Sequence, residues 1–589
     1  MATTEGQIRC LDAFVVALSQ ACEGGKKRWY ASTLKLQLTS LDMCRACRSI
    51  STLQVRVDYQ TCESLWSPRE VQTLPNTCSS EIRISTRVPV VRALRLKWAL
   101  PIEILLWSAA IELWTSSECL ELLGCLRMES LGSVVWPRRL TQLVLDAEFD
   151  FPIHDVSWPM VLERLVLGKF NQTIEGVTWP ASLQQLSFGA RFNQPISGVK
   201  LPASLQRLAF GFNFNQQISG VVWPVSLQQL SFGARFNQPI AGVAWPAFLQ
   251  QLTFGIEFNQ PIAGVMWPVS LQQLTFGGFN QPIAGVVWPV SLQDLSFGPM
   301  FNQPIAGVVW PVSLQQLELG SNFNQPVDGV VWPMALRDLW FGPKFNQPIT
   351  GVVWPVSLQQ LEFGSNFNQP VTRVVWPMTL RDLWFGPKFN QPITGVMWPV
   401  SLQQLTFGLD FNQPIAGVVW PASLQQLTFG LDFSQPIAGV VWPTSLQQLS
   451  FGYHFNQPIA GVVWPASLQQ LTFGYDFNQP IAGIVWPASL QQLSFGARFN
   501  QPVAGVVWPA SLQHLSFGPD FNHPIAEVVW PASLQQLSFG WKFNQRIAGV
   551  VWPASLEELT FGSRFDQPFP RVTWPKSLRR LRCGQERLL

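Results

Sequence analysis

Charged residues are scarce in this chain. They make up 12% of its 589 residues, about half the share found in ordinary globular proteins. The 38 basic and 35 acidic side chains leave a formal net charge of +3, which gives no general attraction for nucleic acid or an anionic membrane. Hydrophobic residues reach 47%, which excludes a flexible, highly charged coil. We therefore expect a folded protein without a nucleic-acid partner.

Residues that carry catalysis are also scarce. The chain has four histidines, and each replaces a variable residue, a Gln or an Asn of the repeat described below. It contains no Gly-rich phosphate loop and no nucleophile–base pair in a recognisable motif. The sequence therefore predicts no catalytic residue, no cofactor and no enzyme activity.

Cysteine is confined almost entirely to the first part of the chain. Of the nine cysteines, only Cys583 lies beyond residue 125. Cys44 and Cys47 form a CxxC pair, but a four-thiolate zinc site needs a second close pair. Cys62 and Cys78 are too far apart in sequence to provide one, so we predict no metal site.

Long apolar runs are missing as well. No stretch of about 18 uncharged apolar residues exists, which argues against a membrane span. The apolar residues of segment 3–22 follow a helical spacing, but this segment does not read as a secretory signal. We expect some helix here, reduced thiols, and a cytoplasmic or nuclear location.

A period of 22 residues dominates the rest of the chain. A typical unit, beginning at Trp179, reads WPASLQQLSFGARFNQPISGV. Leu201–Pro202 replaces the Trp-Pro pair in one unit. The other units carry Trp at positions 136, 158, 179, 223, 245, 267, 288, 310, 332, 354, 376, 398, 420, 442, 464, 486, 508, 530, 552 and 574.

Each unit predicts one short strand. In the unit above, Leu186 and Phe188 alternate with Gln185 and Ser187, which is the period-two pattern of a strand with one buried face. Prolines in the rest of the unit exclude a long helix. One unit cannot bury its own apolar residues, but stacked units bury those of their neighbours.

The predicted fold is therefore a β-rich solenoid, a parallel stack of about 20 coils of 22 residues. The predicted solenoid covers residues 131–589, after a mixed N-terminal region of uncertain fold over residues 1–99 that contains some helix. Residues repeated at one height of such a stack form ladders, and an amide ladder bonds one coil to the next. We expect structural ladders that include Asn193, Asn237 and Asn259, and Trp179, Trp223 and Trp245.

The repeat resembles the FNIP repeat family, whose unit is similar to LPxSLxxLxFGxxFNxPI. Residues 201–218 read LPASLQRLAFGFNFNQQI, and the other units depart from the pattern mainly by Trp in place of the first Leu. The resemblance implies a leucine-rich-repeat-like solenoid that contacts other proteins. Many members of that family resemble substrate adaptors with an F-box ahead of the repeats.

Residues 100–130 allow two interpretations. Residues 100–123 read LPIEILLWSAAIELWTSSECLELL, which is similar to the beginning of an F-box and would bind a Skp1-type ligase subunit. Alternatively, Trp114 lies 22 residues before Trp136, which indicates a degenerate coil that caps the stack.

An unusual cluster interrupts the neutral strand positions in the middle of the array. Trp and Glu alternate down one column, with Asp in place of Gln beside it. Because exposed Trp beside carboxylates is typical of contact surfaces, these residues are candidates for partner binding. Segments 321–364 and 365–408 are near copies, so duplication alone also explains the repetition. The candidate residues are Glu318, Asp338, Trp340, Glu362, Asp382 and Trp384.

The sequence thus predicts a non-catalytic scaffold that recognises a protein partner through the strand face and variable loops of the solenoid. The alternative function is that of a substrate-recognition adaptor in an F-box-type ubiquitin ligase.

Overall fold

A computed structural model describes residues 52–56, 93–97, 119–123, 131–132, 136–145, 149–569, 572–583 and 586–587. The predicted helix in segment 3–22 and the CxxC pair lie outside these residues. The chain divides into two compact units, Met1–Leu271 and Gln272–Leu589.

The described residues of the first unit contain nine strands, and consecutive strands pair in parallel. The strands are β1 Thr52–Arg56, β2 Ala93–Lys97, β3 Cys119–Leu123, β4 Gln142–Leu145, β5 Arg164–Leu167, β6 Gln185–Phe188, β7 Arg207–Ala209, β8 Gln229–Ser231 and β9 Gln251–Phe254.

In the described residues of the second unit the strands also pair in parallel with the next along the chain, except for the last two, which are antiparallel. The strands are β10 Gln273–Phe276, β11 Asp294–Phe297, β12 Gln316–Leu319, β13 Asp338–Phe341, β14 Gln360–Glu362, β15 Asp382–Trp384, β16 Gln404–Thr406, β17 Gln426–Thr428, β18 Gln448–Ser450, β19 Gln470–Thr472, β20 Gln492–Ser494, β21 His514–Ser516, β22 Gln536–Ser538, β23 Glu558–Phe561, β24 Arg580–Cys583 and β25 Glu586–Arg587. The β-solenoid of about 20 coils, each of about 22 residues, is thereby confirmed.

The core of each coil is built from the residues that the alternation predicts. In the coil that begins at Trp464, Leu471 and Phe473 of strand β19 and its flank are buried, while Gln470 and Thr472 are on the accessible face. Phe473 stacks on Phe477 of the same coil at 4.1 Å between ring centroids. Phe477 in turn stacks on the equivalent Phe of the next coil at 6.1 Å. The aromatic core is therefore continuous along the described coils of each unit.

The glycine that follows each strand is required by close packing of the backbone. A Cβ on Gly474 would overlap the carbonyl oxygen of Gly452 in the preceding coil. This position is Gly in every described coil from 168 to 562. A second glycine, Gly483, has a φ of +75° and open space around it. That position tolerates Arg373 and Glu527 in other coils, so only the first glycine is fixed by contact between coils.

The last parallel strand of the second unit has a partner on its outer edge. β25 pairs with β24 in antiparallel fashion, with Arg582 opposite Arg587 and Cys583 opposite Glu586. A strand that folds back in this way occupies some of the backbone groups that an open edge would offer to another chain.

Candidate partner-binding surface

The register of the sheet places the six candidate residues on neighbouring strands of the second unit. Glu318 of β12 lies opposite Trp340 of β13, Trp340 opposite Glu362 of β14, and Glu362 opposite Trp384 of β15. Asp338 and Asp382 lie two residues before the tryptophans, on the same face of the sheet. We call the six residues Glu318, Asp338, Trp340, Glu362, Asp382 and Trp384 the acid–Trp patch.

The side chains of the patch are accessible. Trp384 is 36% exposed, and Trp340 is half-buried. Buried hydrophobic side chains of strand β13, by comparison, are Leu339 at 0% and Phe341 at 3%. The two tryptophans therefore stand outside the core and are not needed to fill it.

Neutral groups are the partners of the patch carboxylates. Gln316 Nε2 donates to Asp338 Oδ2 at 3.2 Å, and Ser296 Oγ donates to Glu318 Oε2 at 2.7 Å. Within the described part of the chain, no Lys, Arg or His lies within 4.0 Å of a carboxylate oxygen of the patch. The negative charge of the patch is therefore not neutralised by direct ion pairs.

The surroundings disfavour ionisation of three of these groups. Partial burial raises the pKa of Glu362, and the charge of Glu318 raises it further. Partial burial also raises the pKa of Asp338 and of Asp382, against the opposing effects of a Gln hydrogen bond and of a neighbouring Arg. A positive charge brought to the patch would stabilise the ionised forms of all three.

Charges on the loops after the strands behave differently, because many of them pair with one another. His454 Nδ1 lies 2.8 Å from Asp476 Oδ2, and Arg498 Nη1 lies 3.0 Å from Asp476 Oδ1. Lys542 Nζ lies 2.9 Å from Asp520 Oδ1. These loop positions are the variable ones of the repeat, and they also expose large apolar side chains, among them Leu431, Tyr453 and Trp541.

The Asn ladder bonds successive coils. Asn193 donates its backbone N–H to Asn171 Oδ1 at 2.9 Å, and Asn259 makes the same bond to Asn237 Oδ1 at 2.9 Å. The Gln that follows each Asn adds a second bond that the sequence analysis missed. Gln260 Nε2, for example, donates to the carbonyl oxygen of Asn237 at 3.0 Å. The constant Asn-Gln dipeptide was the available signal for it.

The Trp ladder lies along the core of the described coils, except for the coil that begins at Leu201. Trp245 stacks on Trp223 and on Trp267 at 6.5 Å in each case. Trp179 is 9% and Trp223 8% exposed, and Trp179 stacks on Trp158 at 6.5 Å. These ladder residues therefore differ from the tryptophans of the patch, which are accessible on the strand face.

A second surface was also missed. The residue before the core Trp is apolar and highly exposed in most coils, as in Val463 at 81% and Val485 at 83%. Its neighbour Val462 is buried at 7%. The alternation in the Val-Val-Trp triplet was the signal for this column, because one Val points inward and the other outward. Contiguous exposed apolar surface of this kind is typical of contact regions.

The family of the chain follows from the repeats themselves. The family model described as FNIP Repeat matches twelve segments between residues 170 and 585. The chain belongs to the FNIP repeat family. The resemblance inferred from the sequence is thereby confirmed.

A solved structure of a leucine-rich-repeat protein gives the same fold for this FNIP repeat protein. CroV588, described as a novel circular LRR protein, is 36% identical, with a TM-score of 0.65, and the match covers 84% of this chain and 85% of that one. YopM from Yersinia enterocolitica WA-314 is 19% identical over 72% of this chain and 85% of its own, with a TM-score of 0.41. A comparison with curated proteins gives no significant match.

The described residues contain no helix that is long and apolar enough to cross a membrane. The same residues contain no group of three or more His, Cys, Asp or Glu side chains arranged to hold a metal ion.

Proposed function

We propose that this FNIP repeat protein is a non-catalytic scaffold that recognises a protein partner through the strand face and the variable loops of its solenoid. The observation that carries the proposal is the acid–Trp patch, where accessible tryptophans alternate with carboxylates that have no Lys, Arg or His within 4.0 Å among the described residues. Trp residues that are desolvated on binding contribute heavily to protein–protein contacts. A cytoplasmic or nuclear location remains part of this proposal.

The repeat itself supplies the test variants. Other coils have Ser or Thr at the Trp position, as in Ser450 and Thr472, so Trp340→Ser with Trp384→Ser retains a strand that the stack already accommodates. Asp328→Ala is a matched control, because Asp328 is exposed in the same region but outside the strand face.

The experiment compares the proteins captured by the unchanged chain, the double Trp variant and the control. The proposal is supported if at least one protein binds directly to the unchanged chain and to the control but not to the double Trp variant. If all three capture the same proteins, the patch is not the recognition surface.

The adaptor of a ubiquitin ligase is the alternative function. Strand β3, Cys119–Leu123, pairs in parallel with β4, Leu120 lying opposite Leu143. This pairing supports a degenerate coil over residues 100–130 more than a helical F-box. Co-purification of a Skp1-type subunit in equal amount with the full chain would favour the adaptor, and its absence would leave the scaffold.

A further inference from the structure

The acid–Trp patch has a regular spacing that restricts its partner. The patch has two columns across the strands, one with Asp338 and Asp382 and one in which Glu alternates with Trp. In each column, carboxylates recur on every second strand. Neighbouring strands lie about 4.8 Å apart, so residues two strands apart are separated by about 9.6 Å. Asp338 and Asp382 are one such pair, Glu318 and Glu362 another, and Trp340 and Trp384 a third.

The Asp column extends beyond the patch by one further member. Asp294 of β11 lies opposite Gln316 of β12, which lies opposite Asp338 of β13. Asp294, Asp338 and Asp382 are therefore separated by two steps of the same length. Arg337 and Arg381 are the basic residues closest to this column in sequence. The three Asp of the column and the two Glu of the patch outnumber these two Arg.

A polyproline II segment has a matching period. It rises about 3.1 Å per residue with three residues per turn, so every third side chain returns to the same side after about 9.3 Å. An extended β-strand does not match, because residues on one side of it recur every second residue, about 6.6 Å apart, and the residue three positions on points to the opposite side. A partner that crosses the strands in polyproline II conformation therefore presents one side chain to each Asp of the column.

From this match we infer that the acid–Trp patch binds a cationic polyproline II segment, with Lys or Arg at every third position. The inference rests on the proposed function and adds the chemistry of the partner. The basic side chains meet the Asp column, where no Lys, Arg or His of the described chain lies within 4.0 Å of the patch carboxylates. Trp340 and Trp384 offer the flat aromatic surface on which prolines and cationic side chains pack.

The charge pattern elsewhere supports a cationic partner at this place. Loop carboxylates such as Asp476 already have His454 and Arg498 within ion-pair distance. In the patch, in contrast, Asp338, Glu362 and Asp382 are partly buried, and the pKa of Glu362 is raised by this burial and by the charge of Glu318. A cationic segment relieves the repulsion in the patch but would have to displace existing ion pairs on the loops.

The experiment measures binding of fluorescently labelled peptides to the full chain by anisotropy. The probe is Lys-Pro-Pro repeated four times. One comparison peptide has four lysines spaced every fourth residue, Lys-Pro-Pro-Pro, and another has Glu in place of each Lys. The protein variants are Asp338→Gln with Asp382→Gln, which restore the residue of most other coils, and the control Asp328→Ala.

We expect the Lys-Pro-Pro peptide to bind the unchanged chain. The Asp-to-Gln pair should weaken its affinity about tenfold, as the loss of two accessible ion pairs predicts. The control should leave the affinity unchanged. The peptide with lysine at every fourth position should bind several-fold more weakly. Equal affinity for the two spacings, or no effect of the Asp-to-Gln pair, overturns the inference. If the Trp variants lose a captured protein while no lysine peptide binds, the proposed function stands and only the cationic segment is wrong.

Discussion

Segments 321–408 and 409–552 have the same core but a different strand face. Phe341 stacks on Phe345 at 4.1 Å in the first segment, and Phe451 stacks on Phe455 at 4.1 Å in the second. On the strand face, however, the first segment has Asp338 and Trp340 where the second has Gln, or His514 in one coil, and Ser or Thr. The comparison shows that the stack is determined by a few fixed positions per coil, while the strand face is free to carry a binding function.

The fixed positions give the largest predicted effect. Gly474→Ala places a Cβ against the backbone carbonyl of Gly452, which neither coil can avoid without moving. We expect a loss at least as large as truncation of a core Phe, about 3–5 kcal/mol. Gly364→Ala in the first segment should cost as much, because its Cβ meets Gly342 in the same way.

The control for both glycine variants is Gly483→Ala. Gly483 has a φ of +75° but open space around it, so the cost should be about 1–2 kcal/mol from backbone strain alone. Thermal unfolding together with hydrogen exchange of individual coils measures the difference. A smaller effect at Gly474 than at Gly483 would contradict contact between coils as the cause.

The Asn ladder gives the next effect, and the second segment contains a natural interruption of it. Asn478 Oδ1 accepts bonds from the Asn500 N–H at 2.9 Å and from Gln501 Nε2 at 3.0 Å. At Ser434 the Gln457 amide reaches the hydroxyl at 3.4 Å instead. We expect Asn478→Ala to destabilise by about 1–2 kcal/mol, as the loss of two hydrogen bonds predicts.

The reverse substitution tests the same ladder from the other direction. Ser434→Asn restores the amide and should stabilise the chain by about 1 kcal/mol. The change in stability is measured by denaturant unfolding, with hydrogen exchange followed for each coil. If Ser434→Asn changed nothing while Asn478→Ala destabilised, the amide would act within its own coil and not between coils.

The strand face should affect stability far less. Trp340→Ser with Trp384→Ser removes side chains that are accessible in the fold, and accessible substitutions usually change stability by less than about 0.5 kcal/mol each. We therefore expect nearly unchanged thermal unfolding together with loss of partner binding. A strong destabilisation by the pair would assign these tryptophans to the core and remove the distinction between the two segments.

Much of the fold was readable from the sequence because one pattern recurs in every coil. Alternation in Leu-Ser-Phe predicted the strand, and the fixed spacing of Trp predicted that Trp245 would neighbour Trp223 and Trp267, as it does. The outward direction of Val463 was missed, since two adjacent valines do not by themselves show which one is buried. The Gln bonds of the ladder were missed for a similar reason, because a polar residue near the surface was interpreted as solvated.

The candidate binding surface could be predicted only in part. The sequence predicted which residues share the strand face, and the register places Glu318, Trp340, Glu362 and Trp384 on successive strands. It did not show that loop charges such as Asp476 and Arg498 pair with each other while the patch carboxylates do not. That distinction depends on distances between coils, which the repeat period alone does not provide.

The smallest predicted effect concerns the pH dependence of stability. Asp338, Glu362 and Asp382 have pKa values raised above the usual 3.8 for Asp and 4.5 for Glu, chiefly by partial burial. The folded chain therefore retains these protons to a higher pH than the unfolded chain. The stability that protonation provides is fully present below the usual pKa values and is lost as the pH rises through the raised pKa values.

Replacement of all three carboxylates by Gln should abolish this loss, so the variant and the unchanged chain should differ in stability more at pH 7 than at pH 3.5. The difference is measured by denaturant unfolding at both pH values, with Asp328→Ala as the control. A variant that is less stable than the unchanged chain at pH 7 would show that the carboxylates stabilise the strand face, and the distinction between a structural core and a face reserved for binding would fail at these positions.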